Sequence, residues 1–180
     1  DPNVVNPVVF YDKEGKLWMI YGSYSGGIFV KEMDAESGMP LESGYGEKLL
    51  GGNHLRIEAP YVIYNEETGY YYMFLSFGGL DSDGGYNIRV CRSENPNGPY
   101  VDSMGQDMKD CKGPAGSAFS DATAEQYGTK LMGGYKFTWK EGEEGEDRKG
   151  YLSPGHNSCL YQEETGKYFI IYHTRFENSG

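Results

Sequence analysis

The sequence has 180 residues, which is enough for one domain with a sizeable core and too few for two ordinary domains. Its net charge of −11 would repel a phosphate backbone, which argues against nucleic acid as a partner. No segment has the length of a transmembrane helix, so we expect no insertion into a membrane. Aromatic residues make up 15% of the chain and 27 residues are glycine, a mixture typical of short strands joined by tight turns.

One pattern occurs three times, at residues 8–21, 61–74 and 158–171: two apolar runs flank a charged turn that ends in glycine. Each copy predicts a β-hairpin. The turn glycines are Gly15, Gly69 and Gly166, so the copies are separated by 54 and 97 residues. The longer interval allows two further units or one unit with long insertions.

Further strands are predicted after the first two hairpins, at residues 27–33 and 86–93, with a fourth strand of the second unit near residues 130–137. No segment has the capped periodicity of a helix. Hairpin-based units at this spacing favour an all-β fold of four-stranded antiparallel blades, an incomplete β-propeller, with blade starts near residues 1, 58 and 155. A β-sandwich with similar hairpins is the alternative.

The residues just ahead of the three first strands are ionisable: Asp1, Glu58 and His156. In a propeller the first strand of each blade lines the central channel, and its leading end opens onto one face. We therefore expect these three side chains to converge near one axis.

Five segments then give the chain a resemblance to a known family. They are DPNV at residues 1–4, YGSYSGGI at 21–28, HLRIEAPY at 54–61, SPGHNS at 153–158 and YHTRF at 172–176. In this combination and order the sequence resembles glycoside hydrolase family 43, and within it the endo-α-1,5-L-arabinanases. The resemblance implies that residues 1–180 are part of one catalytic domain, a five-bladed propeller in the parent protein.

The resemblance also implies an inverting hydrolysis of arabinan that uses three acidic residues. Glu58 matches the general acid, and Asp1 matches the second Asp, which tunes that acid. The general base belongs to an earlier blade, N-terminal to Asp1, and has no counterpart in these residues, so we expect the 180 residues alone to be inactive. Inversion needs an acid and a base about 6.5–9.5 Å apart, with room for water. The alternatives are a surface carboxylate at Glu58 and a frayed terminus at Asp1.

His156 matches the family position that holds a calcium ion at the channel centre, with water completing the coordination shell. Calcium prefers oxygen ligands, so a single His would bind it weakly. The alternative is a hydrogen-bonded structural His. His173 and Arg175 alternate on one strand and are either a polar strand edge or substrate contacts.

Candidate substrate contacts come from three places. Tyr24, Ser25 and Gly26 form a loop where a ring could stack on a sugar and glycine lets backbone approach it. His54 and Arg56 alternate just ahead of Glu58 and are expected at the rim of the cleft. The last candidate, Tyr86, opens another strand.

Three classes of function remain open. The first is a bacterial enzyme, secreted, periplasmic or at the cell surface, which acts on plant arabinan or arabino-oligosaccharides together with the remaining blades of its parent chain. Within that class the specificity is endo-arabinanase, or else exo-acting α-L-arabinofuranosidase or β-xylosidase. The second class is a non-catalytic carbohydrate-binding propeller fragment, and the third is an interaction propeller without a sugar site.

Overall fold

The computed structural model describes residues 2–81, 83, 85–115, 124, 126–134, 140–142 and 151–175. Its described secondary structure consists of ten strands and one short 3₁₀ helix, Met108–Asp110. The prediction of an all-β protein with four-stranded antiparallel sheets is confirmed. Within this part of the chain, no helix is long and apolar enough to span a membrane.

The first sheet is a simple meander in the order β1-β2-β3-β4. Its strands are β1 (Val8–Tyr11), β2 (Leu17–Ser23), β3 (Gly27–Met33) and β4 (Glu47–Leu50). The turn between β1 and β2 is held by Asp12, whose Oδ1 accepts from the backbone N–H groups of Glu14 and Lys16 at 2.8 and 2.9 Å. This Asx-type turn, with Gly15 at φ 82°, confirms the first predicted hairpin.

The second sheet repeats the arrangement in the order β5-β6-β7-β8. Its strands are β5 (Ile57–Asn65), β6 (Tyr70–Phe77), β7 (Asn87–Ser93) and β8 (Thr129–Met132). The connection from β7 to β8 is a long insertion that contains the 3₁₀ helix. Within the described residues, the 97-residue interval therefore holds one four-stranded sheet.

The third sheet has two described strands, β9 (Leu152–Gln162) and β10 (Lys167–Arg175), which form the third predicted hairpin. Its outer part leaves large apolar side chains exposed, among them Leu160 at 55% and Ile171 at 53%. Its leading end is buried, because Ser153, Pro154 and Gly155 lie inside the molecule.

The core lies between the first two sheets, where Ile20, Ile28 and Val30 pack against Ile57 and Met73. Burial of each such side chain stabilises the packing of the two sheets by roughly 1.5–3 kcal/mol. The packing brings the leading end of β5 next to the turn that joins β2 and β3, since the backbone N–H of Tyr24 donates to the carbonyl of Ile57 at 2.9 Å.

Candidate active site

Glu58 is the second residue of β5 and stands directly before an irregularity in the strand. The register of β5 with β6 shifts between Glu58 and Tyr61, and Ala59 has a left-handed backbone with φ 52°. Such a bulge re-aims the neighbouring side chains. It places the half-buried Glu58 opposite Ser76, a fully buried residue of β6.

Two hydrogen bonds position the groups around Glu58. The backbone N–H of His156 donates to Ser76 Oγ at 2.8 Å. The Tyr86 hydroxyl donates to Glu58 Oε1 at 2.7 Å. Ser76 also acts on the Tyr86 hydroxyl, in the direction that lowers its pKa.

Tyr86 is held rigidly behind Glu58. Its ring is 1% exposed and is stacked on the His173 ring, with centroids 5.8 Å apart and planes inclined by 10°. The other close neighbour is Gly155, where an added Cβ would lie 1.9 Å from Tyr86 Cε1. Burial, and then the adjacent Glu58, raise the pKa of Tyr86 far above its usual value, so its hydroxyl keeps the proton that it donates.

His173 connects the candidate residues electrostatically. Burial, followed by the charges of His156 and Arg175, lowers the pKa of His173, while Glu58 acts in the opposite direction. These four side chains therefore share one neighbourhood. Glu58 and His156 both act on His173, and the His156 backbone is bonded to Ser76, opposite Glu58. His156 lies inside β9 and not ahead of it as predicted, and Asp1 lies outside the described residues.

The loop from Tyr24 to Gly26 lies beside Glu58. Tyr24 has φ 38° and its phenol is close enough to raise the pKa of Tyr86. Ser25 and Gly26 are half-buried with it. The close packing of this loop depends on Gly27, where a Cβ would lie 2.2 Å from the carbonyl oxygen of Leu50.

His54 and Arg56 occupy the segment that leads into β5. His54 is exposed with φ 57°, and Arg56 is half-buried, with its carbonyl accepting from the Gly78 backbone N–H at 2.9 Å. Left-handed backbone at a residue with a Cβ is costly and concentrates at functional sites. Three such residues lie at this site: Ala59 follows Glu58, Tyr24 bonds to Ile57, and His156 bonds to Ser76.

Two residues of this site were missed by the sequence analysis. Ser76 has no motif of its own, and Gly155 was read only as part of the SPGHNS segment. Tyr86 was predicted as a substrate contact, and its described contacts are with Glu58, Ser76, Gly155 and His173.

The described residues fit calcium only as a one-ligand site. They contain no group of three or more His, Cys, Asp or Glu side chains that could hold a metal. The His156 side chain is exposed, and the neighbouring Asn157 has a buried Oδ1 without a hydrogen-bond partner. Calcium takes about 6–8 oxygen ligands, so water would have to supply most of the shell.

Comparison with known proteins gives a consistent result. Residues 1–129 match the family described as Glycosyl hydrolases family 43. The chain is 58% identical to an extracellular endo-α-(1→5)-L-arabinanase of Bacillus subtilis and 53% identical to one of Thermotoga petrophila, in both cases over 99% of its length. It covers 38% and 37% of those proteins. A crystal structure of a family 43 protein from Bacillus licheniformis superimposes with a TM-score of 0.91 at 55% identity, covering all of this chain and 39% of that one.

The contact between Gly155 and Tyr86 leads to a stability prediction. Gly155→Ala places a methyl group inside the Tyr86 ring, so we expect a loss of about 1–3 kcal/mol in the free energy of unfolding. The matched control is Gly134→Ala, where the nearest atom is Leu152 Cδ2 at 3.9 Å and little should change. Urea unfolding of the full-length protein measures both, and equal midpoints for the two variants would contradict the packing described here.

Proposed function

The chain belongs to glycosyl hydrolase family 43, and on that premise we propose that the protein containing it hydrolyses α-1,5-linked arabinan with inversion of configuration. The observation that carries the proposal is Glu58, a half-buried carboxyl at a strand end that is held by a buried tyrosine hydroxyl. Two relatives above 50% identity are endo-arabinanases, which favours cleavage inside the polymer. Those relatives are named extracellular enzymes, which favours export from the cytoplasm. The exported protein is proposed to be secreted, periplasmic or attached to the cell surface.

We propose Glu58 as the general acid. Its Oε1 accepts from Tyr86, so the proton that it delivers is carried on Oε2. In the reaction this proton goes to the leaving oxygen as the bond from that oxygen to the anomeric carbon breaks. A water molecule forms the new bond to the anomeric carbon from the opposite face and loses a proton to a general base.

The other two acidic positions rest on the resemblance. Asp1 is proposed as the carboxylate that tunes Glu58. The base is proposed in a segment N-terminal to Asp1, because no residue of this chain matches it. Substrate contacts are proposed at Tyr24, Ser25 and Gly26 on one side of Glu58, and at His54 and Arg56 on the approach to β5.

We also propose that the three sheets are blades of an incomplete propeller whose parent has five, with blade starts near residues 1, 58 and 155. Two four-stranded meanders and a two-stranded third sheet support this arrangement. The exposed apolar side chains of β9 and β10 support it too, because further strands would cover them. A structure of the full-length protein in which these three sheets are not blades of one propeller would contradict this proposal.

The central test is Glu58→Gln in the full-length protein. We expect a fall of about 10²–10⁴-fold in kcat on debranched arabinan, because the amide cannot protonate the leaving oxygen. Glu66→Gln, an exposed carboxylate in the turn after the same strand, is the control and should keep wild-type activity. Inversion is checked by NMR, which identifies the anomer that is released first. Endo action is checked from the early products, which should be oligosaccharides and not arabinose alone.

Two results would replace this proposal. Activity that survives Glu58→Gln within a few-fold would remove Glu58 from its role. A wild-type full-length protein that retains arabinan without releasing sugar would support the carbohydrate-binding alternative.

Tyr86→Phe tests the hydroxyl that holds Glu58. The ring stays in place, and the lost hydrogen bond would have stabilised the carboxylate that forms as Glu58 delivers its proton by about 1.5–3 kcal/mol, so kcat should fall roughly 10- to 100-fold. KM should change little, because the hydroxyl is bonded to Glu58. Tyr72→Phe is the control, since the Tyr72 hydroxyl bonds only weakly to Thr68 at 3.2 Å in an exposed turn. A rise in KM at unchanged kcat would instead make Tyr86 a substrate contact.

Calcium at His156 stays a prediction. Calorimetric titration of calcium into chelator-treated full-length protein should release heat that His156→Ala reduces, because the imidazole is the candidate protein ligand. A flat titration of the wild-type protein would remove calcium from the proposal.

A further inference from the structure

A cavity lies away from Glu58, at the outer part of the first sheet. It has a volume of about 440 Å³. We call it the Trp18 groove, and its main lining residues are Trp18, Val30, Glu32, Tyr45, Glu47 and Asn97. Trp18 is five residues before Ser23 along β2, which is about 17 Å at ~3.3 Å per residue. The groove is therefore separate from the site at the Tyr24 loop.

Hydrogen bonds and close packing already hold part of the groove lining in place without a ligand. The Trp18 Nε1–H donates to Asp12 Oδ2 at 2.8 Å, which sets the plane of the indole. Lys31 Nζ donates to the Gly44 carbonyl at 2.6 Å. Gly46 has φ 83° and lies so close to β3 that a Cβ would be 2.2 Å from the Val30 carbonyl oxygen. Because these groups are already ordered, less side-chain and loop entropy is lost when a ligand binds.

The lining combines a flat apolar surface with acceptors and donors. The half-buried indole of Trp18 lies beside Val30, while carboxylates stand at Glu32 and Glu47. The Asn97 amide donates to Glu47 Oε2 at 3.1 Å. A pyranose or furanose ring fits such a lining, because its C–H face packs on the aromatic ring and its hydroxyls bond to the polar groups.

The charges select among sugars. Glu32 lies 3.6 Å from Lys16 Nζ and Glu47 lies 3.3 Å from Lys109 Nζ, both at the surface. Glu42 adds a third carboxylate to the lining. Lys31 balances Glu42, as Lys16 and Lys109 balance the other two carboxylates, so the groove has no net charge and suits a neutral sugar better than an ionic one.

We propose that the Trp18 groove binds a neutral oligosaccharide of the arabinan type, as a second site on the same polymer. This inference rests on the proposed function for the identity of the sugar. A second attachment point makes encounter between polymer and Glu58 intramolecular and raises the effective concentration of cleavable bonds. The gain applies to long chains and is absent for a short soluble substrate.

The experiment uses the full-length protein carrying Glu58→Gln, so that the polymer is retained but not cut. Retardation by debranched arabinan in native gels is compared for Trp18→Ala, Trp18→Phe and Asn97→Ala. Losing an aromatic contact of about 0.5–1.5 kcal/mol should weaken retention about two- to tenfold in Trp18→Ala. Trp18→Phe keeps an aromatic ring and should lose less. Glu36→Gln, an exposed carboxylate outside the groove, should behave as the parent.

A second measurement separates the groove from the catalytic centre. With Glu58 restored, Asn97→Ala and Trp18→Phe should leave hydrolysis of arabinotriose unchanged and raise KM for the polymer. Asn97→Ala decides the matter if Trp18→Ala does not fold, since Asn97 lies in a surface loop.

Unchanged retention in a folded Asn97→Ala variant, or stronger binding of oligogalacturonate than of arabinan, would overturn the inference. Failure of the proposed function looks different. In that case the wild-type protein does not cleave arabinan, while retention of the polymer still depends on Trp18 and Asn97.

Discussion

The arrangement of the candidate site depends on the bulge at Ala59. Without the extra residue, the pairing set by the turn at Asn65 and Tyr70 would place Phe77 opposite Glu58. With it, Ser76 stands there and supplies a hydroxyl that accepts from the backbone N–H of His156. A shift of one residue reverses the faces of a strand, so the bulge decides whether Glu58 meets a polar partner or an aromatic ring.

Two hydrogen bonds follow from this register. A backbone N–H on β9 donates to a hydroxyl on β6, and a phenol ahead of β7 donates to a carboxyl oxygen on β5. The cost is strain in the backbone: Ala59 and His156 both have positive φ, a conformation that disfavours a side chain. The surrounding sheets maintain it, because Ser76, Tyr86 and Gly155 are buried.

Much of the fold could be predicted because its hairpins are local. The turns at Gly15, Gly69 and Gly166 fix the pairing of neighbouring strands by counting, and the strands at residues 27–33 and 87–93 follow from apolar alternation. β4 was missed because its four residues come after a long irregular loop. β8 covers Thr129–Met132, and residues 135–137 of the predicted strand lie outside the described residues. At the site, Glu58 lies near the start of its strand as expected, whereas His156 lies inside β9. Ser76 could not be placed, since one inserted residue changes its partner.

The turn ends of the hairpins and the leading end of β5 differ in where their polar groups find hydrogen-bond partners. At the turn end, Asp12 and Asn65 accept from backbone N–H groups within a few residues, and the Lys13 N–H also donates to the Tyr71 hydroxyl of the second sheet at 2.9 Å. At the leading end of β5, the polar groups have partners far along the chain: Glu58 bonds to Tyr86 of the same sheet, and Ser76 bonds to His156 of the third sheet. Local turns set the register of the strands next to them, and the bulge at Ala59 then shifts the register at Glu58. The Trp18 groove belongs to the first kind of end, because its indole is oriented by the turn residue Asp12. A rigid turn can thus orient an aromatic surface without involving the strained backbone around Glu58.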